Sequence, residues 1–202
     1  MTVKLAAGSL MIGLIVATVI TIARFARLAP LRWLAIAYVS VMRGTPLLVQ
    51  LFLVFFGGPQ FGLTLDPFWA GIVTMGFNIG AYMSEGIRGA ILNVAKGQSE
   101  ASRTLGFGRS QTMRYFILPQ AAPLMIRSLG VNTVILIKGT ALVSTIGVVE
   151  LTYSAQRFVT STYKPFEVFA VAGAAYLVII GIVTVAVRLI ETSIGKHQRV
   201  QP

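Results

Sequence analysis

Chemistry in this chain has to be done with few tools. The sequence holds no cysteine and a single histidine, His197. Zinc clusters, thiol nucleophiles, haem ligation and any histidine-based triad are therefore excluded. His197 stands in a basic, polar stretch and reads as a solvated tail residue. A phosphate-cradling loop of the form Gly-x4-Gly-Lys-Ser/Thr is missing too, because Gly195-Lys196 has Ile190 where the earlier glycine would stand. What remains is a set of polar groups placed inside apolar stretches. Lys138 lies well inside one of them, where an ammonium is costly unless it faces protein or water. It is a candidate for lining a polar pathway, with Thr140 and Ser144 beyond it; a structural pair with a carboxylate such as Glu85 is the competing reading. Asn78 and Gln50 are weaker candidates, since a lone amide often only bridges helices. Glu150, followed by Tyr153, Gln156 and Arg157, could meet a cationic solute or be an ordinary interfacial acid. Glu85 and Arg88, one turn apart, read as an internal ion pair with Arg88 reaching the headgroups, or as a gate contact.

The elements that must position these groups follow from composition. Hydrophobic residues make up 55% of the chain and charged residues 11%, against about 25% charged in a soluble domain. This predicts an all-α membrane protein. A net charge of +11 raises the question of nucleic acid. The basic residues do not gather on one solvated face between aromatics, however; they form short clusters between apolar runs, so no nucleic-acid partner is expected. Five transmembrane helices are predicted over residues 5–23, 46–64, 68–90, 129–149 and 168–187. Residues 33–44 form an interfacial or re-entrant piece ahead of the second, because Thr45 as N-cap and Pro46 at the first helical position would start a new helix there. Eleven lysines and arginines fall in segments 24–32, 94–128 and 188–202, while Lys4, Arg157 and Lys164 fall on the other side. Positive residues stay cytoplasmic, which puts the N-terminus outside and the C-terminus inside. On the third span Gly76, Gly80 and Ser84 recur at every fourth position. Such a row of small residues lets two helices approach closely, either within one subunit or across a subunit seam.

The segment between the third and fourth spans, residues 94–121, is longer than most connections, and long ones are usually functional. Ser99 is read as the cap of a short helix whose Ala101 and Leu105 share one face. Gly106 supplies the positive backbone angle that ends it. A second helix, capped by Ser110, carries Met113, Phe116 and Ile117 on one stripe before Pro119 closes it. The product is an amphipathic hairpin shaped to dock a soluble partner.

These residues carry a resemblance. The pattern Glu-Ala-Ala, three residues, Gly, nine residues, Ile-x-Leu-Pro is the cytoplasmic signature of permease subunits of bacterial type I ABC importers. Here it falls on Glu100, Ala101, Gly106, Leu118 and Pro119, with Ser102 in place of the second alanine and Phe116 in place of isoleucine. Residues 43–50 (Arg-Gly-Thr-Pro-Leu-Leu-Val-Gln), 81–89 and 138–144 resemble the polar amino acid subgroup of those permeases. The resemblance implies a multi-pass protein of the bacterial inner membrane, not itself catalytic and holding no cofactor. It would form half of a dimeric pathway with a second permease, identical or paralogous. Its hairpin would be a coupling helix seated in one of a pair of ABC ATPase subunits, and an extracytoplasmic solute-binding protein would deliver a polar amino acid. Glu150 would then be placed to meet that binding protein. The alternative class, a self-contained secondary transporter or small channel, is expected to show internal repeats, and none is evident.

Overall fold

The computed structural model describes residues 1–196, and all of the secondary structure among them is helical. His197 and Arg199 lie outside the described residues. In chain order the helices are α1 (Thr2–Arg24), α2 (Ala29–Gly44), α3 (Leu47–Phe52), α4 (Pro67–Leu92), α5 (Lys96–Thr104), α6 (Arg109–Thr112), α7 (Leu118–Gly139), α8 (Leu151–Thr162) and α9 (Pro165–Lys196). Three helical runs are long and apolar enough to cross a membrane: Thr2–Arg24, Arg109–Ile146 and Pro165–Ile194. A fourth is formed if Ala29–Gly44 and Leu47–Phe61, bent by 103° at their junction, count as one broken span.

Helix α4 is the centre of the molecule. Of its 26 residues, 14 are buried, and α1, α2, α3 and α7 all pack on it. At a 1.5 Å rise it is about 39 Å long, enough to span. Its Thr74, Asn78, Ser84, Glu85 and Arg88 lower its hydropathy, so it is not among the runs that are apolar enough by composition, although the sequence pattern predicts a span over 68–90. Helix α9 is the opposite case: only 6% of its most apolar stretch is buried.

The row Gly76, Gly80 and Ser84 packs against α1 of the same chain. A Cβ on Gly76 would stand 2.7 Å from Ile12 and one on Gly80 2.7 Å from Val16. Gly13 answers from α1, where an added Cβ would come within 2.6 Å of Ile79. Further along, the Thr21 hydroxyl donates to the Ser84 carbonyl at 3.3 Å. The seam ends in ions, with Glu85 lying 3.2 Å from Arg24 of α1 and 3.5 Å from Arg88. Lys138 is therefore not the partner of Glu85; the arginine that closes α1 takes that place.

Two expected helix boundaries are corrected. Thr45 does not cap α3 but ends α2, its hydroxyl donating to the Val41 carbonyl at 2.7 Å. Pro119 does not close a helix. It sits in the first turn of α7 behind a π-helical turn, Met113–Ile117, so the run continues to Ile146. A proline has no N–H to give to the carbonyl four residues back, and a one-residue register shift absorbs that loss.

The α1–α4 seam makes a stability prediction. Gly80→Val overpacks it and should cost about 1–3 kcal/mol, read as a lowered thermal midpoint in detergent. Gly89→Ala, where nothing lies within 4 Å of an added Cβ, should leave the midpoint unchanged or raise it.

Candidate functional site

The hairpin of α5 and α6 is held by polar contacts on its inner side. Helix α5 begins after Ala95, so Ser99 is an internal residue rather than the cap. Gly106 takes φ +82°, and the chain turns back with Gly106 N–H on the Arg103 carbonyl and Phe107 N–H on the Ser102 carbonyl, at 2.9 and 3.0 Å. Helix α6 starts after Gly108, not at Ser110; the Gln111 side-chain oxygen accepts the Gly108 N–H at 2.9 Å. Ser102, the residue that departs from the motif, is wholly buried. Its hydroxyl donates to the Ser99 carbonyl and sits 2.9 Å from the Thr112 hydroxyl. Since a hydroxyl carries one proton, Thr112 is the donor between them. An alanine at position 102 has no acceptor for it. Below this bridge the Phe107 and Phe116 rings meet edge to face at 4.9 Å, and Gln120 donates to Gln98 at 3.0 Å.

The face shared by Ala101 and Leu105 points away from the rest of the chain. Glu100 and Ala101 are exposed, and Leu105 is 71% exposed. Ser102 occupies the inner side, so the exposed band of Glu100, Ala101 and Leu105 is left for something other than this chain. Leu118 and Pro119 lie at the root of the hairpin, both exposed.

The other candidate residues do not gather into one cluster. Asn78 bridges helices: its amide donates to the Met42 carbonyl and to the Gln50 side-chain oxygen, each at 3.0 Å. Gln50 is the hub of the break between α2 and α3, donating to the Met42 carbonyl, the Thr45 carbonyl and the Thr45 hydroxyl. Carbonyls at the end of α2, which helix geometry leaves without partners, are satisfied in this way. Arg43 lays its guanidinium 5.3 Å above the Tyr82 ring. Thr140 and Ser144 are buried, with hydroxyls on the Ile137 and Ala141 carbonyls of their own helical run. Lys138 is exposed in a groove of about 270 Å³ against Gly173, Tyr176, Leu177 and Ile180.

Glu150 needs the largest correction. It is 1% exposed, and both oxygens are taken: one accepts the Tyr153 N–H at 2.7 Å as the N-cap of α8, the other the Tyr176 hydroxyl at 2.9 Å. Thr2 accepts the neighbouring Leu151 N–H at 3.0 Å, which ties α1 to the same corner. This carboxylate builds the junction of α1, α8 and α9 and does not reach a solute in this conformation. Gln50, Arg24 and Tyr176 carry more of the polar framework than the sequence suggested. Only Gln50, four residues beyond a Thr-Pro break, gave any signal.

A helical membrane protein with a stiff hairpin held outside the bundle has the architecture of a transport permease. The chain belongs to the family of binding-protein-dependent transport system inner membrane components, whose model matches residues 8–196. It is 39% identical to the L-cystine transport system permease protein of Bacillus subtilis, covering 97% of this chain and 84% of that one. It is 38% identical to the nopaline transport system permease protein of Agrobacterium fabrum, over 98% and 86% of the two chains. With the glutamine transport system permease protein of Escherichia coli it shares 38% over 92% and 84%. The fold superposes on the crystal structure of an amino acid ABC transporter at a TM-score of 0.90 and 36% identity, covering 96% of this chain and 90% of that one. A methionine ABC transporter in an inward-facing conformation shares the fold at a TM-score of 0.81 and 19% identity, over 96% and 92% of the chains.

The Ser102–Thr112 bridge is testable. Ser102→Ala and Thr112→Val should each loosen the hairpin by about 1 kcal/mol. The double variant should cost less than their sum, read by amide exchange over residues 96–117.

Proposed function

We propose that this permease imports a polar amino acid, working as half of a two-permease pathway driven by a pair of ABC ATPase subunits and loaded by an extracytoplasmic binding protein. The observation that carries the coupling role is the exposed band of Glu100, Ala101 and Leu105 on a hairpin whose second helix runs on into α7. An exposed leucine beside an acid, on a scaffold fixed by a buried hydroxyl pair, is a shaped contact for a soluble protein. Support for the solute class comes from the relatives, named for the transport of cystine, nopaline and glutamine.

In this reading the chain crosses the membrane five times: α1, the broken α2–α3 pair, α4, the 109–146 run and α9. The N-terminus is outside, and the hairpin and C-terminus face the cytoplasm with most of the lysines and arginines. When ATP draws the two ATPase subunits together, each hairpin is carried with them, and the 109–146 run moves as the hairpin moves. Lys138, Thr140, Ser144 and Asn78 would then be exposed to the solute by rearrangement of the helices that now cover most of them.

Two variants test the docking role. Leu105→Asp should abolish co-purification of the ATPase subunits while the permease stays inserted in the membrane. Gly106→Val forces a β-branched residue to φ +82°; it should leave insertion intact and uncouple ATP hydrolysis from uptake. Normal transport by both variants would remove the hairpin from the mechanism.

A further inference from the structure

Helices α1 and α2 converge on a four-residue link and leave an open groove of about 380 Å³ on the outside of the bundle. Val16, Val19 and Ile20 of α1, Leu31 and Leu34 of α2, and Phe77 of α4 line it. Tyr38 adds only its ring, since its hydroxyl is spent on the Phe77 carbonyl at 2.6 Å. The residues facing this groove from α1 run from Ile15 to Ala23, about 12 Å along the helix. Where the two helices converge, the chemistry changes abruptly. Arg24, Arg27 and Arg32 are crowded into nine residues around the link. Arg24 is neutralised by Glu85. The side chains of Arg27 and Arg32 are exposed, and neither has an acidic or hydrogen-bonding partner among the described residues. Because α1 is long and apolar enough to cross a membrane, its Arg24 end stands at headgroup depth.

We propose that this corner is a binding site for one anionic phospholipid. An acyl chain would lie in the α1–α2 groove, and the headgroup phosphate would be held by Arg27 and Arg32. The charge complementarity is local. Arg27 lies in the link and Arg32 directly follows the groove residue Leu31, so two guanidiniums without a partner among the described residues belong to the corner where the carbon-lined groove meets the link, and a guanidinium offers a phosphate paired donors. A second protein helix would fill the same groove with carbon but would leave both arginines without a counter-charge.

The test uses the assembled transporter purified from membranes, exchanged into nanodiscs of phosphatidylglycerol and phosphatidylcholine in equal amounts, and released into native mass spectrometry. The wild type should retain phosphatidylglycerol over phosphatidylcholine. Arg27→Gln and Arg32→Gln should each reduce that preference about fivefold, while Arg188→Gln, which removes an exposed charge on α9, should not. Val19→Trp, at a groove position already 58% exposed, should displace lipid of both kinds without lowering the thermal midpoint. Equal retention of the two lipids, or an equal loss on Arg188→Gln, would mean a diffuse field and overturn the site. Separation of the permease copies by Val19→Trp would show that a protein covers the groove, and would overturn it as well.

Discussion

A force applied to residues 96–117 would reach the bundle through the run Arg109–Ile146, which stays helical from end to end although it holds both Pro119 and Pro123. Its 38 residues pass from the hairpin through a π-helical turn into α7 and on through a 3-10 segment. Pro119 would be expected to interrupt it. Placed in the first turn of α7, directly after a turn wound one residue wider, it forfeits one hydrogen bond without ending the helix. The second helix of the hairpin is therefore the start of a helical run long and apolar enough to cross a membrane, rather than a loop attached to one.

The run is held to its neighbours at points where side chains have been removed to let backbones meet. Gly86 of α4 leaves room for Ser128 of α7, and Gly130 of α7 leaves room for Val187 of α9. On the exposed side of the α7–α9 contact, Arg127 donates to Glu191. On the far side of α4, the Gly13–Gly76–Gly80 seam binds α1 with similar intimacy. Without a hydrophobic driving force in lipid, such close contact and a few interhelical hydrogen bonds supply most of the cohesion. Polar residues do the rest where the helices are imperfect. Gln50 and Asn78 satisfy the end of α2 at its 103° bend, and Glu150 caps α8 in the dry corner shared with Tyr176.

Much of this was legible in the sequence because it depends on local backbone demands. Gly106 had to end a helix, Thr45-Pro46 had to mark a break, and the four-residue rhythm of Gly76, Gly80 and Ser84 had to be a close approach. Direction was not legible. Ala101 and Leu105 share a face by periodicity, but periodicity does not say whether that face meets the chain's own core, lipid or another protein. Here Ala101 and Leu105 are left exposed, and the buried position is Ser102, packed as a residue standing for the motif's second alanine would be, with Thr112 opposite it. Glu150 failed for a similar reason. An acid at the end of an apolar run looks interfacial, and the tyrosine that satisfies it arrives 26 residues later. Arg24 and Glu85 are separated by 61 residues in the chain, so only the α1–α4 packing brings them together.

The most direct test of the stiff connection is to soften it without touching either end. Ala121→Gly with Ala122→Gly removes two methyl groups just inside α7 and introduces backbone freedom between hairpin and bundle. In reconstituted vesicles, solute moved per ATP hydrolysed should fall towards zero while hydrolysis and ATPase binding persist. An unchanged ratio in that variant would contradict the account, because it would mean the hairpin moves the bundle by some route other than this helix.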